Sequence, residues 1–334
     1  MNKISSWLIL MLIFVLPTQQ YAQPYYFNHY QINDGLSNNT VICSMQDSFG
    51  FLWLGTKDGL DRFDGNNFKH FDIRNHVLNT IANNIISLIE DNEKEIWIGT
   101  DQGIYIYNPI QETFALLSEE FANADVPVIK KDSKNNIWFI ANQSLYFYNY
   151  SKKNTTKINV DENNISALFC SKEDKLYYGT FNGKICLVEK FRSTILIDLE
   201  QKHGPKDWFA IQKIIKNEKG NLIFGTSKAG VGSVAKDNTV TWLLGIKQLK
   251  QYLYVRDILQ MNEQEYWFAT ESGLFIYNIE TKKFINIKKA ENNPWGISDN
   301  AIYNILKDKD GGIWLGTYFG GINYYHKNNN LIEK

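Results

Sequence analysis

Short apolar runs of five or six residues, separated by polar turns rich in Asp, Asn and Gly, recur along almost the whole chain. The clearest is Phe51-Leu52-Trp53-Leu54-Gly55-Thr56, which returns as Glu95-Ile96-Trp97-Ile98-Gly99-Thr100 and as Gly312-Ile313-Trp314-Leu315-Gly316-Thr317. Weaker copies carry Trp138, Tyr177, Ile223 and Trp267 at the aromatic position. That position falls at 53, 97, 138, 177, 223, 267 and 314, so the spacing is 39 to 47 residues. A fixed period of this length marks a repeat architecture with one supersecondary unit per repeat.

Each unit reads as four short strands. In the second unit the strands are expected at 85–90, 95–100, 104–107 and 113–117, with turns at Asp91-Asn92-Glu93-Lys94 and Asp101-Gln102-Gly103. The runs are apolar on both faces rather than alternating, as expected when each small sheet is covered on both sides. Helical periodicity is essentially absent. Seven four-stranded units predict an all-β fold, a single seven-bladed β-propeller; an open β-solenoid would use shorter coils. The last unit has three strands and then ends, while residues 26–32 precede the first inner strand unpaired. Phe27-Asn28-His29-Tyr30 resembles the fourth strand Phe68-Lys69-His70-Phe71. The N-terminal segment is therefore expected to supply the outer strand of the last blade and remove the exposed edge an open ring would carry.

The start of the chain is different. Lys3 precedes an apolar run from Trp7 to Leu16, Pro17 breaks it, and Ala22 offers a small residue before a cut. This reads as a signal peptide over 1–22, leaving 23–334 as the propeller, exported to the periplasm without further membrane contact; an uncleaved anchor is the alternative. Net charge is −1, and no basic stripe offers itself to nucleic acid. Cys43, Cys170 and Cys186 have no zinc spacing. Cys170 and Cys186 fall two strands apart in one blade, too far for a disulfide, so all three thiols are expected to be unpaired and packed.

The run Asp47-Ser48-Phe49-Gly50-Phe51-Leu52-Trp53-Leu54-Gly55-Thr56-Lys57-Asp58-Gly59-Leu60 resembles the two-component regulator propeller repeat, and 308–322 matches nearly as well. Residues 34–41 are similar to that family's opening segment and 293–300 to a later inter-blade loop. The resemblance spans the predicted propeller and is specific at blades 1, 2, 6 and 7; Ile140-Ala141, Tyr177 and Ile223 depart from it. It implies the periplasmic sensor region of a hybrid two-component system of Bacteroidota type, often one that controls polysaccharide use. Such proteins carry a second propeller, a membrane helix and a histidine kinase. None of their kinase motifs occurs in this chain, so no catalysis of its own is expected. The resemblance leaves a fragmentary sensor or a free-standing binding propeller open.

Within the repeat, Trp53, Gly55, Thr56, Trp97, Gly99, Thr100, Trp138, Trp267, Trp314, Gly316 and Thr317 are expected to be framework, with the aromatic filling the wedge between blades and Gly allowing close approach. The Asp-x-x-Gly turns lack the ligand set of a calcium loop. Asp58, Asp61 and Asp64 invite comparison with a glycosidase carboxylate pair, but a turn and its following strand usually hold solvated acids. No catalytic residues, metal or cofactor are expected. Ligand residues are best sought where the repeat is broken on the face that carries the second-to-third-strand turns and the inter-blade loops. Arg74, Asn75, Trp208, Tyr252, Tyr254, Trp295, Tyr318 and Phe319 meet that test. Aromatic rings flanked by polar groups suit an oligosaccharide, and equally suit packing against a second propeller or downstream sensor domains. A propeller-scaffold enzyme that degrades polysaccharide is the remaining reading.

Overall fold

The computed structural model describes residues 25–203 and 209–328; the expected leader at 1–22 and Trp208 lie outside that range. The described residues form seven four-stranded antiparallel sheets. In blade 1 the strands, from the inside outward, are Val41–Gln46, Leu52–Thr56, Gly59–Phe63 and Phe68–Phe71. Blades 2 to 6 start on the inner strands Ile85–Glu90, Val128–Lys131, Ile165–Cys170, Ile211–Lys216 and Val255–Gln260. Inner strands of neighbouring blades pack together all the way round, blade 7 against blade 1 included. The fold is a closed seven-bladed β-propeller.

Closure uses the N-terminal strand. Blade 7 contributes Ile302–Lys307, Ile313–Thr317 and Ile322–Tyr325, and Phe27–Tyr30 pairs with the last of these from Phe27↔Tyr325 to Tyr30↔Ile322. Phe27 is fully buried beside Trp267 and Ile297, and the Tyr30 ring lies 5.2 Å from Phe63 and 5.9 Å from Trp314. The strand thus bonds blade 7 and its side chains contact both neighbouring blades.

The repeat motif is a hydrogen-bonded unit as well as a wedge. In blade 1, Asp47 Oδ1 accepts from the Phe49 and Phe51 amides at 3.0 and 2.9 Å, while Oδ2 accepts from Trp53 Nε1 at 2.8 Å. The unit repeats with Asp91 and Trp97 at 3.0 Å and with Asp308 and Trp314 at 2.9 Å. A buried carboxylate is tolerable because every bond to it comes from a donor. The threonine closes the other end: Thr56 Oγ1 donates to Gly59 O at 2.9 Å and accepts from the Asp58 amide. Gly55 is needed because a Cβ there would sit 2.7 Å from Ile85 Cγ2 of the next blade.

Four wedge tryptophans each meet an aromatic ring from the third strand of the following blade. The pairs are Trp53–Tyr107, Trp97–Tyr148, Trp267–Tyr325 and Trp314–Phe63, with centroids 5.0 to 6.0 Å apart. The central blades lose this pairing. Trp138 is half-buried and its seam partner is Val188; Tyr177 faces Val234; Ile223 shares a cluster with Tyr277. In blades 4 and 5 the carboxylate goes with the tryptophan, since Ser171 and Asn217 stand where blades 1, 2, 3 and 7 have Asp; blade 6 keeps Trp267 and bonds its indole to Glu265 instead.

Three features depart from the sequence reading. A two-stranded hairpin, Arg74–Asn75 with Thr80–Ile81, stands between blades 1 and 2. Two short helical segments, Leu199–His203 and Ile246–Leu249, occupy inter-blade loops. The inner strands of six blades carry a bulge, at Ile42, Ile86, Ser166, Gln212, Arg256 and Tyr303. A bulge re-aims one side chain per strand, and the inner strands carry these residues around the central opening.

Candidate functional site

The bulge residues of blades 5, 6 and 7 build a continuous polar-aromatic ladder on the face named above. Tyr254 leads into the inner strand of blade 6, and its hydroxyl donates to Gln212 Oε1 at 3.0 Å. The Arg256 guanidinium lies between two rings, 4.0 Å from the Tyr254 centroid and 4.4 Å from that of Tyr303. Its edge is held by Glu271, through Nε at 3.1 Å and through a terminal nitrogen, and it also donates to Tyr303 Oη at 3.3 Å. Tyr303 stacks on Tyr318 at 5.3 Å. Lys57 of blade 1 ends the row, with Nζ donating to Tyr318 Oη at 2.9 Å. A guanidinium between two rings and fixed at its edge is immobilised.

Phe319 rises from the end of this row. Its ring meets Tyr318 edge-on at 4.4 Å, its amide donates to Asp299 Oδ2 at 2.8 Å, and it is 72% exposed. An anchored backbone holding an exposed ring is a ready stacking surface. Burial pushes the Tyr254 and Tyr303 hydroxyls above the ordinary tyrosine range, so both stay protonated hydrogen-bonding groups.

The structure thus brings together three of the sequence candidates, Tyr254, Tyr318 and Phe319. Tyr252 and Trp295 are exposed on the loops before blades 6 and 7, and Arg74 is exposed on the hairpin. Asn75 is a correction. It is buried, its amide donates to Gln102 O and Ala122 O, and its carbonyl accepts from the Val77 and Leu78 amides. All of its bonding capacity holds the hairpin, leaving none for a ligand. Asp61 is a second correction: it is buried rather than solvated, and accepts from the Ser37 hydroxyl and amide and pairs with His70. Asp58 and Asp64 are exposed, and Asp64 caps its own turn, so the three acids form no catalytic pair.

Arg256 and Tyr303 were missed because a bulge is a property of pairing register. The sequence signal was present in retrospect: both replace the aliphatic residue of blades 1 and 2, Ile42 and Ile86. Deeper in the ring, Lys213 pairs with Asp257 at 2.6 Å. Burial, and then the Lys213 charge, lower the Lys130 ammonium to about 8. The three cysteines are free, and burial raises Cys43 to about 12 and Cys170 and Cys186 to about 11.

Residues 35–58, 81–102 and 296–319 match the model of the two component regulator propeller family. These segments are two-component regulator propeller repeats. They cover the regular motifs of blades 1, 2 and 7. A 36-residue stretch is 58% identical to Histidine kinase P4 of Formosa agariphila, over 11% of this chain and 3% of that protein. The propeller superposes on the extracellular domain assigned to the hybrid two-component system BT3049 of B. thetaiotaomicron. The TM-score is 0.74 at 25% identity, over 91% of this chain and 42% of the other. The corresponding domain of BT4673 from the same organism gives 0.75 at 21% identity, over 90% and 39%. The chain therefore spans less than half of each of these structures. Streptogramin B lyase shares the fold at 13% identity with a TM-score of 0.70. Among the described residues no helix is long and apolar enough to cross a membrane.

Proposed function

We propose that this propeller is the non-catalytic, exported ligand-receiving part of a two-component sensor, and that it takes an oligosaccharide on the ladder face. The observation that carries this is the fixed row Tyr254–Arg256–Tyr303–Tyr318, which ends in the exposed Phe319 ring. Departures from the repeat have no framework duty there, and rigid aromatic faces beside polar edges suit sugar rings. Export to the periplasm rests on the leader-like 1–22 segment and on the extracellular domains the propeller resembles. The test is a glycan-array screen of the purified chain followed by calorimetry on the best hit. Phe319→Ala and Arg256→Ala are expected to weaken binding by about two- to tenfold each, the scale of one lost ring contact. Turnover of the glycan by the chain, or binding unchanged in both variants, refutes the reading.

A second reading has its own support. Val77 and Leu78 are exposed at the hairpin tip, and Ile81 and Trp295 are exposed on the same face. Apolar groups raised off a surface suit a contact with further sensor domains. Val77→Asp with Leu78→Asp then disrupts association with those domains and leaves glycan binding intact.

A further inference from the structure

Between blades 4 and 5, on the face opposite the ladder, lies a groove of about 1070 Å³. Its cause is the lost wedge described above. Tyr177 replaces the seam tryptophan and Val234 replaces its partner ring, so two large side chains are shortened at one seam. The floor is apolar: Phe169, Tyr177, Leu187, Leu196, Leu222 and Val234 line it. The rim is basic. Lys172, Lys175, Lys216, Lys219 and Lys236 stand against Glu173 and Glu218. Lys216 is paired with Glu173 at 2.8 Å and Lys175 with Glu189 at 3.8 Å. Lys172, Lys219 and Lys236 are exposed and have no carboxylate partner among the described residues.

We propose that this groove binds an extended acidic segment of a partner protein, with apolar side chains in the floor and carboxylates on the three unpaired lysines. A sugar is disfavoured because Ser171 and Asn217, two neutral polar residues of the lining, are already committed. Ser171 Oγ accepts from turn amides, and the Asn217 side chain bonds the Asn221 amide and Tyr266 Oη. An alternating acidic and apolar strand matches both floor and rim, and its charge supplies the long-range attraction. The site is separate from the ladder and stands or falls independently of it.

The probe is a fluorescein-labelled decapeptide alternating Glu with Leu and Phe, titrated by polarisation into the purified chain. Saturable binding is expected, weakening as salt rises past about 0.1 M, where the screening length falls below about 10 Å. Val234→Tyr restores the ring that the seams at Tyr107, Tyr148, Tyr277, Tyr325 and Phe63 carry. It is expected to keep or raise the melting temperature and to weaken the peptide at least about tenfold, the scale of losing a packed anchor pocket. Lys172→Glu with Lys219→Glu, both on the surface and so harmless to folding, should weaken it similarly. Absence of peptide binding overturns the proposal, as does binding that both variants leave unchanged. Equal binding of a peptide with Lys in place of Glu also overturns it. Displacement of the peptide by dextran sulfate or anionic vesicles, with Val234→Tyr still binding, assigns the surface to polyanions in general and overturns the peptide assignment.

Discussion

Lys130 tests the electrostatics of the ring's interior. The residue opposite the wedge position is Met45, Ile89, Phe169, Ile215, Leu259 and Leu306 in the other six blades, all apolar; in blade 3, opposite Trp138, it is Lys130. Burial and the Lys213 charge lower its pKa from 10.5 to about 8, with Asp257 only partly offsetting them. A base whose folded pKa is depressed binds fewer protons folded than unfolded between those two values, so stability rises with pH across that window. At pH 7 the folded state therefore carries a penalty of roughly 3 kcal/mol, an upper bound, which shrinks to below about 1 kcal/mol near pH 10.

Lys130→Met places the residue of blade 1 in the same register and removes the penalty without opening a cavity. The expected result in urea unfolding is a gain of roughly 1–3 kcal/mol at pH 7 that fades as pH approaches 10. A variant less stable than the parent at pH 7, or a gain that does not depend on pH, would show that the ammonium is solvated or paired and refute the reasoning.

The remaining predictions concern the frame. Asp47→Ala strands the buried Trp53 indole N–H and frees two turn amides, and is expected to cost about 2–3 kcal/mol, read as a fall in denaturation midpoint at unchanged slope. Asp47→Asn should recover part of this. Phe27→Ala removes the fully buried anchor of the closing strand and should cost about 3–5 kcal/mol, with early proteolytic cleavage near the N-terminus as the sign of an opened ring. Cys43 and Cys186, held by burial at about 12 and about 11, should resist a thiol reagent near neutral pH until the chain unfolds.

Much of the fold is legible because it is built from local rules that repeat. The inner and second strands of the fifth blade fall at 211–216 and 222–226 as the apolar runs indicate, and the Phe27–Tyr30 strand follows from its likeness to Phe68–Phe71. The wedge tryptophans were readable for the same reason. The ladder was legible only in part. Tyr254, Tyr318 and Phe319 break the repeat in loops and turns, where a reader of sequence looks for function. Arg256 and Tyr303 lie within strands, and only the bulge turns them toward the central opening. Asn75 and Asp61 misled in the opposite sense. Asn and Asp are usually solvated, and what buries them is a hairpin packed on the loop before blade 3 and a hydroxyl from Ser37, neither local in sequence.

The blades divide unequally between frame and variation, and that division ties the observations together. Blades 1, 2 and 7 keep the Asp–Trp unit, and the family match falls on these three blades. They also hold the closing strand, so the joint that closes the ring lies in its most regular part. Blade 3 keeps Asp132 and Trp138 but bonds the carboxylate to Asn136, whereas blades 4 and 5 lose the unit by paired substitution. Where the tryptophan goes, its carboxylate goes as well, as at Ser171 with Tyr177 and Asn217 with Ile223. Removing the indole alone would leave a buried carboxylate without its donor, which is costlier than losing both. Paired loss leaves a sound blade with a shallower seam, and the 4–5 groove is that seam. A propeller can therefore open a binding surface at one joint without weakening the joint that closes it.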